Sequence, residues 1–396
     1  MNISSLERRT LFVVASIFSL RMLGLFMILP VFSIYANQLN NVTPFLVGIA
    51  LGVYGLMQAL LQIPFGFLSD RFGRKPVILL GLLLFIAGSG VAALSNSIYG
   101  VIVGRSLQGM SAIGCVMMAL MADLTREEIR VWAMAILGLM IGISFMFSMI
   151  LGPYFGYLFG FRSIFWITAG LALAAAGLLV VFVPTPEKGN QGAGVIPKKE
   201  QLPKVFTHPV LMSLNFGVFL LHAVLVALFL KLPGILEEVG VVAAKTSFFY
   251  FWVFLGSVIP SALGLWWLEK RQKTLKSLAW VVLILTIALV GTLVLAKDVF
   301  EIALNLGVFF AAFNILEASL PSLVSKLSPP DWKGTALGVY SSLQFLGIFG
   351  GGIIGGWLDA RYGMVGIVLF CMTLAFVWFL WVFTVNGRGV TRWQEV

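Results

Sequence analysis

The chain has 396 residues, of which 60% are hydrophobic and 11% are charged, and its mean hydropathy is +1.02. A soluble protein of this length cannot bury so much apolar surface, so the composition excludes an ordinary soluble enzyme and indicates a protein embedded in a bilayer. The formal net charge of +10 comes mainly from basic residues in the segments between apolar runs, which argues against a nucleic-acid-binding surface.

Apolar segments long enough to cross a bilayer recur along the whole chain. Six precede a polar stretch and six follow it, and we number them span 1 to span 12. Their predicted bounds are 10–36, 44–68, 76–95, 98–122, 131–156, 162–184, 209–235, 246–268, 277–296, 300–325, 333–358 and 363–385. The sequence therefore predicts an all-α membrane protein of twelve transmembrane helices.

The polar stretch at residues 185–208 divides these spans into two sets. It contains several prolines, glycines and lysines and too few apolar residues to cross a membrane, so it is predicted to be a cytoplasmic linker. A short interfacial helix is expected near 203–208. The predicted organisation is an N-terminal six-helix half at 1–184, this linker, and a C-terminal six-helix half at 209–396.

Basic residues are distributed unevenly between the two alternating sets of connecting segments. One set, which includes both termini, carries 19 lysines and arginines, and the other carries four. The remaining three of the 26, Arg21, Arg105 and Lys231, lie inside apolar segments. Because loops rich in Lys and Arg stay on the cytoplasmic side, both termini are predicted to be cytoplasmic, which agrees with an even number of spans. The first apolar run has no small-residue cleavage site, so we expect no cleaved signal peptide.

The two halves resemble each other in sequence. A shift of 200 residues aligns Gly138 and Gly152 of span 5 with Gly338 and Gly352 of span 11, which are equivalent positions in a duplicated chain. Duplicated halves with a central substrate path are a recurrent plan among secondary transporters. The repeat therefore favours a transporter.

The connection between spans 2 and 3 has a distinctive sequence. It reads Gly66-Phe-Leu-Ser-Asp70-Arg71-Phe-Gly73-Arg74-Lys75-Pro76. Gly66 allows helices to approach closely, and Gly73 permits a tight turn. Asp70, Arg74 and Lys75 offer charges that can pair across helices at the membrane edge. Topology alone explains Arg71 and Lys75, but it does not explain the spacing of the glycines, the aspartate and Arg74.

This loop resembles motif A of the major facilitator superfamily, and two further motifs agree with it. Arg105, Gln108 and Gly109 of span 4 resemble motif B. Span 5 resembles motif C, the antiporter motif, at Gly138, Gly142, Gly152, Pro153 and Gly156, with Tyr157 where the motif normally carries a second glycine. The stretches 18–24, 63–66, 312–314 and 333–336 are similar to a proton-coupled drug-efflux type within that superfamily.

The resemblance covers all twelve spans and implies a location in the bacterial inner membrane. That efflux type carries a small soluble domain after span 12, and we expect none here because the sequence stops at Val396. The resemblance also implies that Asp70 faces the N-terminus of span 11 near 332–335, where the helix dipole stabilises a carboxylate by about 0.3–1 kcal/mol. Arg74 is expected to pair with Asp123 at the end of span 4. Together these contacts form a latch that closes the cytoplasmic side.

A few polar side chains lie deep in apolar spans, where a charge costs at least ~2.5–3.5 kcal/mol unless it is paired or hydrated. They are Arg21 in span 1, Arg105 in span 4, His222 in span 7, and Glu317 with Asn314 in span 10. Because Glu317 is the only acid deep in the second half, it is the first candidate for a carboxylate that titrates during transport.

Each of these residues has a structural alternative. Arg105 either bonds neighbouring carbonyls or, as motif B suggests, lines a cavity and takes part in proton coupling. Arg21 is either a tie between the halves or a cavity residue, and Glu317 is either a proton carrier or a neutral hydrogen-bonded acid. His222 is expected to be a packed, hydrogen-bonded histidine rather than a proton carrier. Lys231, near the periplasmic end of span 7, is expected to extend toward the interface, with contact to substrate as the alternative.

The glycines of span 5 also have two interpretations. Glycines at four-residue intervals are commonly a packing face, whereas Pro153 removes a backbone hydrogen bond and allows a bend. Span 5 is therefore predicted to be a packing surface, a hinge, or both. Span 11, with its run of glycines at 350–352, is predicted to be even more pliable.

The sequence predicts a secondary transporter that exports amphipathic drugs in exchange for protons by alternating access. No phosphate-binding loop or metal-ligand spacing is present, which argues against an enzyme or a self-contained ATP-driven pump. The two cysteines, Cys115 and Cys371, lie inside apolar runs and suggest neither a disulfide framework nor a metal site. We expect no cofactor, no nucleic-acid partner and a monomer in the bilayer. The alternatives are an uncoupled or proton-symporting carrier of sugars or other small metabolites, and a non-transporting receptor or lipid-handling protein on the same fold.

Overall fold

The structure is a computed structural model that describes residues 5–184, 201–270, 275–329 and 332–386. Within these ranges, eleven helices are long and apolar enough to cross a membrane. The last of them has a candidate span of 50 residues, Lys333–Val382, which is about twice the ~20 residues that one crossing needs. Gly363 interrupts it with φ 60° and ψ −145°, so this helix contains both span 11 and span 12. The architecture is the predicted all-α membrane fold, and its helices are consistent with twelve crossings.

The helices follow the predicted spans closely. Spans 1 to 6 are Ser5–Phe26, Pro44–Phe72, Arg74–Leu94, Ile98–Met110 with Gly114–Asp123, Glu127–Phe159 and Phe161–Phe182. Spans 7 to 10 are Pro209–Glu238, Ala243–Lys270, Leu275–Val290 with a π-helical turn at Gly291–Leu295, and Val299–Leu327. Spans 11 and 12 form Lys333–Asn386. A short helix at Leu202–Thr207 matches the expected interfacial helix, whereas residues 185–200 of the predicted linker lie outside the described residues.

Two spans differ from the prediction of one continuous helix. Span 1 ends at Phe26, and a short helix, Phe32–Tyr35, follows a turn that contains Pro30, which cannot donate a backbone hydrogen bond. Span 4 is interrupted at residues 111–113. There the Ser111 hydroxyl donates to the Gln108 carbonyl at 2.7 Å, a local bond that competes with the helical pattern. Hydropathy could not reveal either break, because the chain stays apolar across both.

The chain divides into two compact units that correspond broadly to the halves. The first unit is Met1–Val42 with Val53–Ile196, and the second is Thr43–Gly52 with Pro197–Val396. The first nine residues of the span 2 helix, 44–52, therefore belong to the second unit, where Gly48 lies against the backbone of Gly352.

In the first unit, span 1 packs closely against spans 5 and 6 through small and hydroxylated residues. The hydroxyls of Ser19 and Ser144 are 2.7 Å apart, and Ser148 donates to the Leu23 carbonyl at 2.8 Å. On the other side, Thr168 of span 6 donates to the Gly24 carbonyl at 3.0 Å. Small side chains let the helix backbones approach closely, and the hydroxyls satisfy carbonyls within the apolar environment.

In the second unit, span 7 is the most enclosed helix and lies along spans 11 and 12. Gly347 and Gly351 of span 11 leave no room for a side chain, because a Cβ at either position would overlap the carbonyls of Phe219 and Ala223. The buried indole of Trp378 in span 12 donates to the Ser213 carbonyl at 2.6 Å. This packing fixes the span 7 side chains that face spans 10 and 11.

Candidate transport site

The motif A turn is built around one glycine and one buried arginine. Span 2 ends at Phe72 and span 3 begins at Arg74, so Gly73 alone makes the turn, with φ 94°. That left-handed backbone conformation strains any residue with a Cβ. The short turn places Arg74 at the very start of span 3, where its side chain is only 5% exposed.

Arg74 is the centre of a charged cluster. Its Nε donates to Asp123 at 2.9 Å, and its Nη1 donates both to the Ser69 hydroxyl at 2.6 Å and to Asp70. The Asp123 side chain is fully buried, whereas that of Asp70 is 39% exposed. Two carboxylates on one guanidinium hold the ends of spans 2, 3 and 4 together. The pair between Arg74 and Asp123 that the resemblance implied is therefore present.

The other motif A residues have simpler surroundings. Lys75 donates to the Val183 carbonyl at the end of span 6 at 2.6 Å, and the Arg71 guanidinium lies over the Phe72 ring. Gly66 is buried, and its carbonyl accepts from the Ser69 hydroxyl at 2.7 Å. The predicted approach of Asp70 to residues 332–335 stays a prediction.

Two buried arginines meet at one tyrosine in the first unit. Arg21 donates through Nη2 to the Tyr54 hydroxyl at 3.1 Å and to the Ser111 carbonyl at 2.8 Å. The Arg105 guanidinium lies 5.0 Å from the centre of the Tyr54 ring, and its Nη1 donates to Gln108 at 2.9 Å. Arg21 thus bonds a carbonyl at the break of span 4. Both contacts of Arg21 lie within its own unit.

The second unit contains a cluster of Glu317, His222 and Gln344, from spans 10, 7 and 11. Glu317 Oε2 lies 3.8 Å from His222 Nε2, and Glu317 Oε1 lies 3.3 Å from Gln344 Nε2. Gln344 Nε2 is also 2.9 Å from His222 Nε2, and His222 Nδ1 is 3.1 Å from the Val218 carbonyl. The Glu317 side chain is 33% exposed and that of His222 is 9% exposed, so the acid is open to solvent while the histidine is enclosed.

Asn314 differs from its predicted surroundings, and Lys231 has an acidic partner. Asn314 does not accompany Glu317, since its amide donates to the Ser261 hydroxyl of span 8 at 3.3 Å. The Lys231 ammonium lies 2.5 Å from Asp359, a carboxylate that is 9% exposed. Asp359 follows the predicted end of span 11, so this ion pair is compatible with a lysine that extends toward the interface, and that expectation stays a prediction.

The motif C glycines separate into two pairs. A Cβ at Gly152 would overlap the Met27 carbonyl, and one at Gly156 would come within 3.3 Å of the Tyr35 ring. In contrast, no atom of the described residues lies within 4 Å of a Cβ placed at Gly138 or Gly142. Gly152 and Gly156 therefore lie on a packing face, whereas Gly138 and Gly142 face open space among the described residues. The predicted hinge stays a prediction.

The sequence interpretation missed three residues of these clusters. Gln344, Tyr54 and Asp359 are polar groups that join residues already singled out. Gln344 carried a usable signal, because an amide inside an apolar run needs a partner there. Asp359 carried none, since it lies in the connection between the predicted spans 11 and 12. Tyr54 carried none, since aromatic residues are common throughout these spans.

Comparison with known proteins identifies the family. A profile described as Major Facilitator Superfamily matches residues 14–352. The chain belongs to the major facilitator superfamily. It is 43% identical over 377 residues to the inner membrane transport protein YajR of Escherichia coli, which covers 94% of this chain and 82% of that protein. It is also 26% identical over 352 residues to the multidrug resistance protein MdtH of Yersinia enterocolitica, covering 85% of this chain and 83% of that one.

A solved structure shows the same major facilitator fold. A bacterial homologue of the human lysosomal transporter Spinster, described as inward-facing and occupied, superposes with a TM-score of 0.81 at 13% identity and covers 98% of this chain and 99% of that one. At that identity the match shows the fold alone. Together with YajR, the family establishes a multi-pass transporter of the inner membrane, a carrier and not an enzyme. Its substrate is a small molecule.

Proposed function

We propose that this transporter is a proton-coupled antiporter that exports amphipathic, drug-like compounds by alternating access. The observation that carries the proposal is the Glu317, His222 and Gln344 cluster, an acid and a histidine held within 3.8 Å of each other deep in the second unit. Motif C and the likeness to a protein named for multidrug resistance support the direction and the substrate class.

The geometry of the cluster assigns one arrangement of hydrogens. The Gln344 amide nitrogen has two hydrogens, and the two acceptors near it are Glu317 Oε1 and His222 Nε2. His222 Nε2 then accepts, so the ring is neutral and its Nδ1 donates to the Val218 carbonyl. In this state Glu317 Oε2 is buried without a hydrogen-bond partner and faces the Nε2 lone pair.

A proton that enters this cluster changes its connections. If it binds Nε2, the ring can no longer accept from Gln344 and pairs with Glu317 instead. If it binds Oε2, the acid can donate to Nε2. In both cases Gln344 loses its acceptor on His222, and one polar contact between span 11 and span 7 is broken. Moving one charge through the membrane field is worth ~2.3 kcal/mol per 100 mV, enough to bias a two-state equilibrium about forty-fold.

The motif A cluster supplies the second part of the proposed cycle. Arg74 joins the cytoplasmic ends of spans 2, 3 and 4, and the exposed Asp70 leaves one carboxylate able to exchange partners. We infer that this cluster stabilises the state in which the cytoplasmic side is closed. The proton site and the latch are then separate elements, one in each unit.

The test is substrate-induced proton movement in proteoliposomes that contain the purified protein and an internal pH dye. The panel consists of amphipathic cations, amphipathic anions, neutral antibiotics and sugars. Wild type is compared with Glu317→Gln and with Glu301→Gln, a matched control at the start of the same helix. Glu301 is exposed, and its carboxylate accepts only from a backbone amide at that end.

We expect compound-dependent proton movement with wild type and Glu301→Gln, and none with Glu317→Gln. Transport of a compound without proton movement at any pH would identify a uniporter, and protons moving together with the compound would identify a symporter. Full coupling in Glu317→Gln would place the proton site elsewhere. Either class of result contradicts the proposal.

A further inference from the structure

The first unit carries buried positive charge that its own acids cannot reach. Between residues 8 and 186 the acids are Asp70, Asp123, Glu127 and Glu128, all in cytoplasmic connections or at helix ends next to them. Arg21 lies inside span 1, five residues before the helix ends at Phe26. Among the described residues it forms no ion pair with an acid.

Arg21 has donors that nothing in its surroundings accepts. Arg21 is 1% exposed, and its two hydrogen bonds, to Tyr54 and to Ser111, are both donated by Nη2. The Nε and Nη1 atoms are buried, and no hydrogen-bond partner for them lies among the described residues. Three N–H groups of a guanidinium are thus left without an acceptor, one on Nε and two on Nη1.

The groups around Arg21 fix its position without neutralising it. Its guanidinium lies 5.9 Å from the centre of the Phe85 ring, and Gln58 donates to the same Ser111 carbonyl at 3.2 Å. The Tyr54 hydroxyl, which accepts from Arg21, belongs to the ring beneath Arg105. Two guanidinium groups therefore converge on one tyrosine. Burying the charge of Arg21, which has no acid within ion-pair distance among the described residues, costs several kcal/mol. This cost indicates that the buried charge of Arg21 has a function.

We propose that Arg21 binds the acidic group of the transported compound, so that the preferred substrates are amphipathic organic anions carrying a carboxylate, sulfonate or phosphate. This inference rests on the proposed export function and names its substrate class. The three free N–H groups supply charge-assisted hydrogen bonds to the anion, and Phe85 and Tyr54 offer apolar and aromatic surface beside it. Because the free donors are shielded from solvent, binding requires local movement of the surrounding side chains, and the contact gains strength away from water.

The test measures binding to the purified full chain in neutral detergent, with no proton gradient. Three probes share one ring system and carry an anionic, a neutral and a cationic group: 1-naphthoate, 1-naphthamide and trimethyl(1-naphthyl)ammonium. Each is titrated at constant pH and ionic strength while thermal unfolding is recorded. The variants are Arg21→Gln, Arg21→Lys and Arg162→Gln, the last being an arginine of the same unit in an exposed contact with Asn96.

We expect 1-naphthoate to raise the unfolding temperature of wild type and Arg162→Gln, and the amide and ammonium probes to do so much less. In Arg21→Gln the affinity for 1-naphthoate should fall about ten- to hundred-fold, the worth of one or more hydrogen bonds to a charged group. Arg21→Lys, which keeps the charge and loses the guanidinium geometry, should lie between them. If Arg21→Gln does not fold, the charge preference of wild type still decides the question.

Several outcomes overturn the proposal. They are equal protection by the three probes, preference for the ammonium, no protection by 1-naphthoate up to its solubility limit, or full protection retained in Arg21→Gln. A further arm adds phosphatidylglycerol or phosphatidylcholine to the micelles. If only phosphatidylglycerol stabilises wild type, does so through Arg21 and displaces 1-naphthoate, the anion is a lipid headgroup and not a substrate. Because binding is measured without a gradient, this test can succeed or fail independently of proton coupling.

Discussion

The two units place charge in the membrane in opposite ways. In the first unit the charges inside the spans are Arg21 and Arg105, and the acids Asp70 and Asp123 lie at helix ends. In the second unit the mid-span charge is Glu317, held with His222 and Gln344, and Lys231 is neutralised by Asp359. A duplicated chain has thus diverged in its charges, and we infer that one unit serves anion recognition and the other proton transfer.

The packing of the two units has diverged much less. In the first unit, Gly152 of span 5 lies against the carbonyl of Met27, which follows span 1. In the second unit, Gly351 of span 11 lies against the carbonyl of Ala223 in span 7. Equivalent pairs of helices are brought together by the same device, a glycine against a carbonyl. Selection for a common fold preserves such contacts, while polar side chains are free to specialise.

The largest expected effect comes from removing Arg74, the arginine of the first unit that pairs with Asp123. Arg74→Gln removes the counter-charge of Asp123, whose side chain is fully buried, and should lower the free energy of unfolding by about 3–5 kcal/mol. The measurement is equilibrium unfolding of the purified protein in detergent micelles. Arg71→Gln is the control, since Arg71 is exposed on the same turn, and it should change stability by no more than about 0.5 kcal/mol. Equal losses of unfolding free energy in both variants would mean that the buried pair of Arg74 and Asp123 contributes no more to stability than the exposed Arg71 does.

The sequence predicted the fold and the motif A cluster because both depend on local patterns. Hydropathy defines the spans, and the spacing of Asp70, Gly73 and Arg74 matched a family motif. The resemblance to that family then implied the pair between Arg74 and Asp123. The cluster around Glu317 depends on three helices that are far apart in sequence, so the rotation of each helix decides which polar groups meet. Asn314 shows the limit of sequence reasoning, because it lies less than one turn from Glu317 and yet bonds Ser261 on a different helix.

The next largest effect tests whether the close contacts between glycines and carbonyls stabilise the packing that the two units share. Gly152→Ala places a methyl group against the Met27 carbonyl and should cost about 1–3 kcal/mol of unfolding free energy, as overpacking does. Gly138→Ala is the matched control on the same helix, where no described atom lies within 4 Å. It should gain up to about 1 kcal/mol from helix propensity. A loss in Gly138→Ala as large as that in Gly152→Ala would contradict the difference between the two ends of span 5.

A smaller effect separates Arg21 from Arg74, which are both buried in the first unit. Arg21→Gln removes a charge whose Nε and Nη1 have no partners, so the free energy of unfolding should stay the same or rise, by up to about 2 kcal/mol. The same unfolding experiment in detergent measures it, with Arg74→Gln as the contrasting variant. A loss of stability close to that of Arg74→Gln would make Arg21 a structural tie and remove the reason to assign it to substrate.

The smallest effect concerns pH and separates the two histidines of the second unit. Burial lowers the pKa of His208, whose neutral Nδ1 accepts from the Leu211 amide and caps span 7. A base with a lowered pKa in the folded state stabilises the protein fully above its unfolded pKa, about 6.5, and that contribution is lost as the pH falls below this value.

His208→Asn keeps a capping side chain that does not titrate, so the unfolding temperature of this variant should fall less than that of wild type between about pH 7 and pH 5. The corresponding difference in unfolding free energy between the variant and wild type should not exceed the contribution of one helix cap, about 1 kcal/mol. Identical pH profiles would show that the cap does not respond to protonation. Acid sensitivity that persists in His208→Asn and is reduced by Glu317→Gln would belong to the cluster of Glu317 and His222, the site at which the second unit is proposed to take up protons.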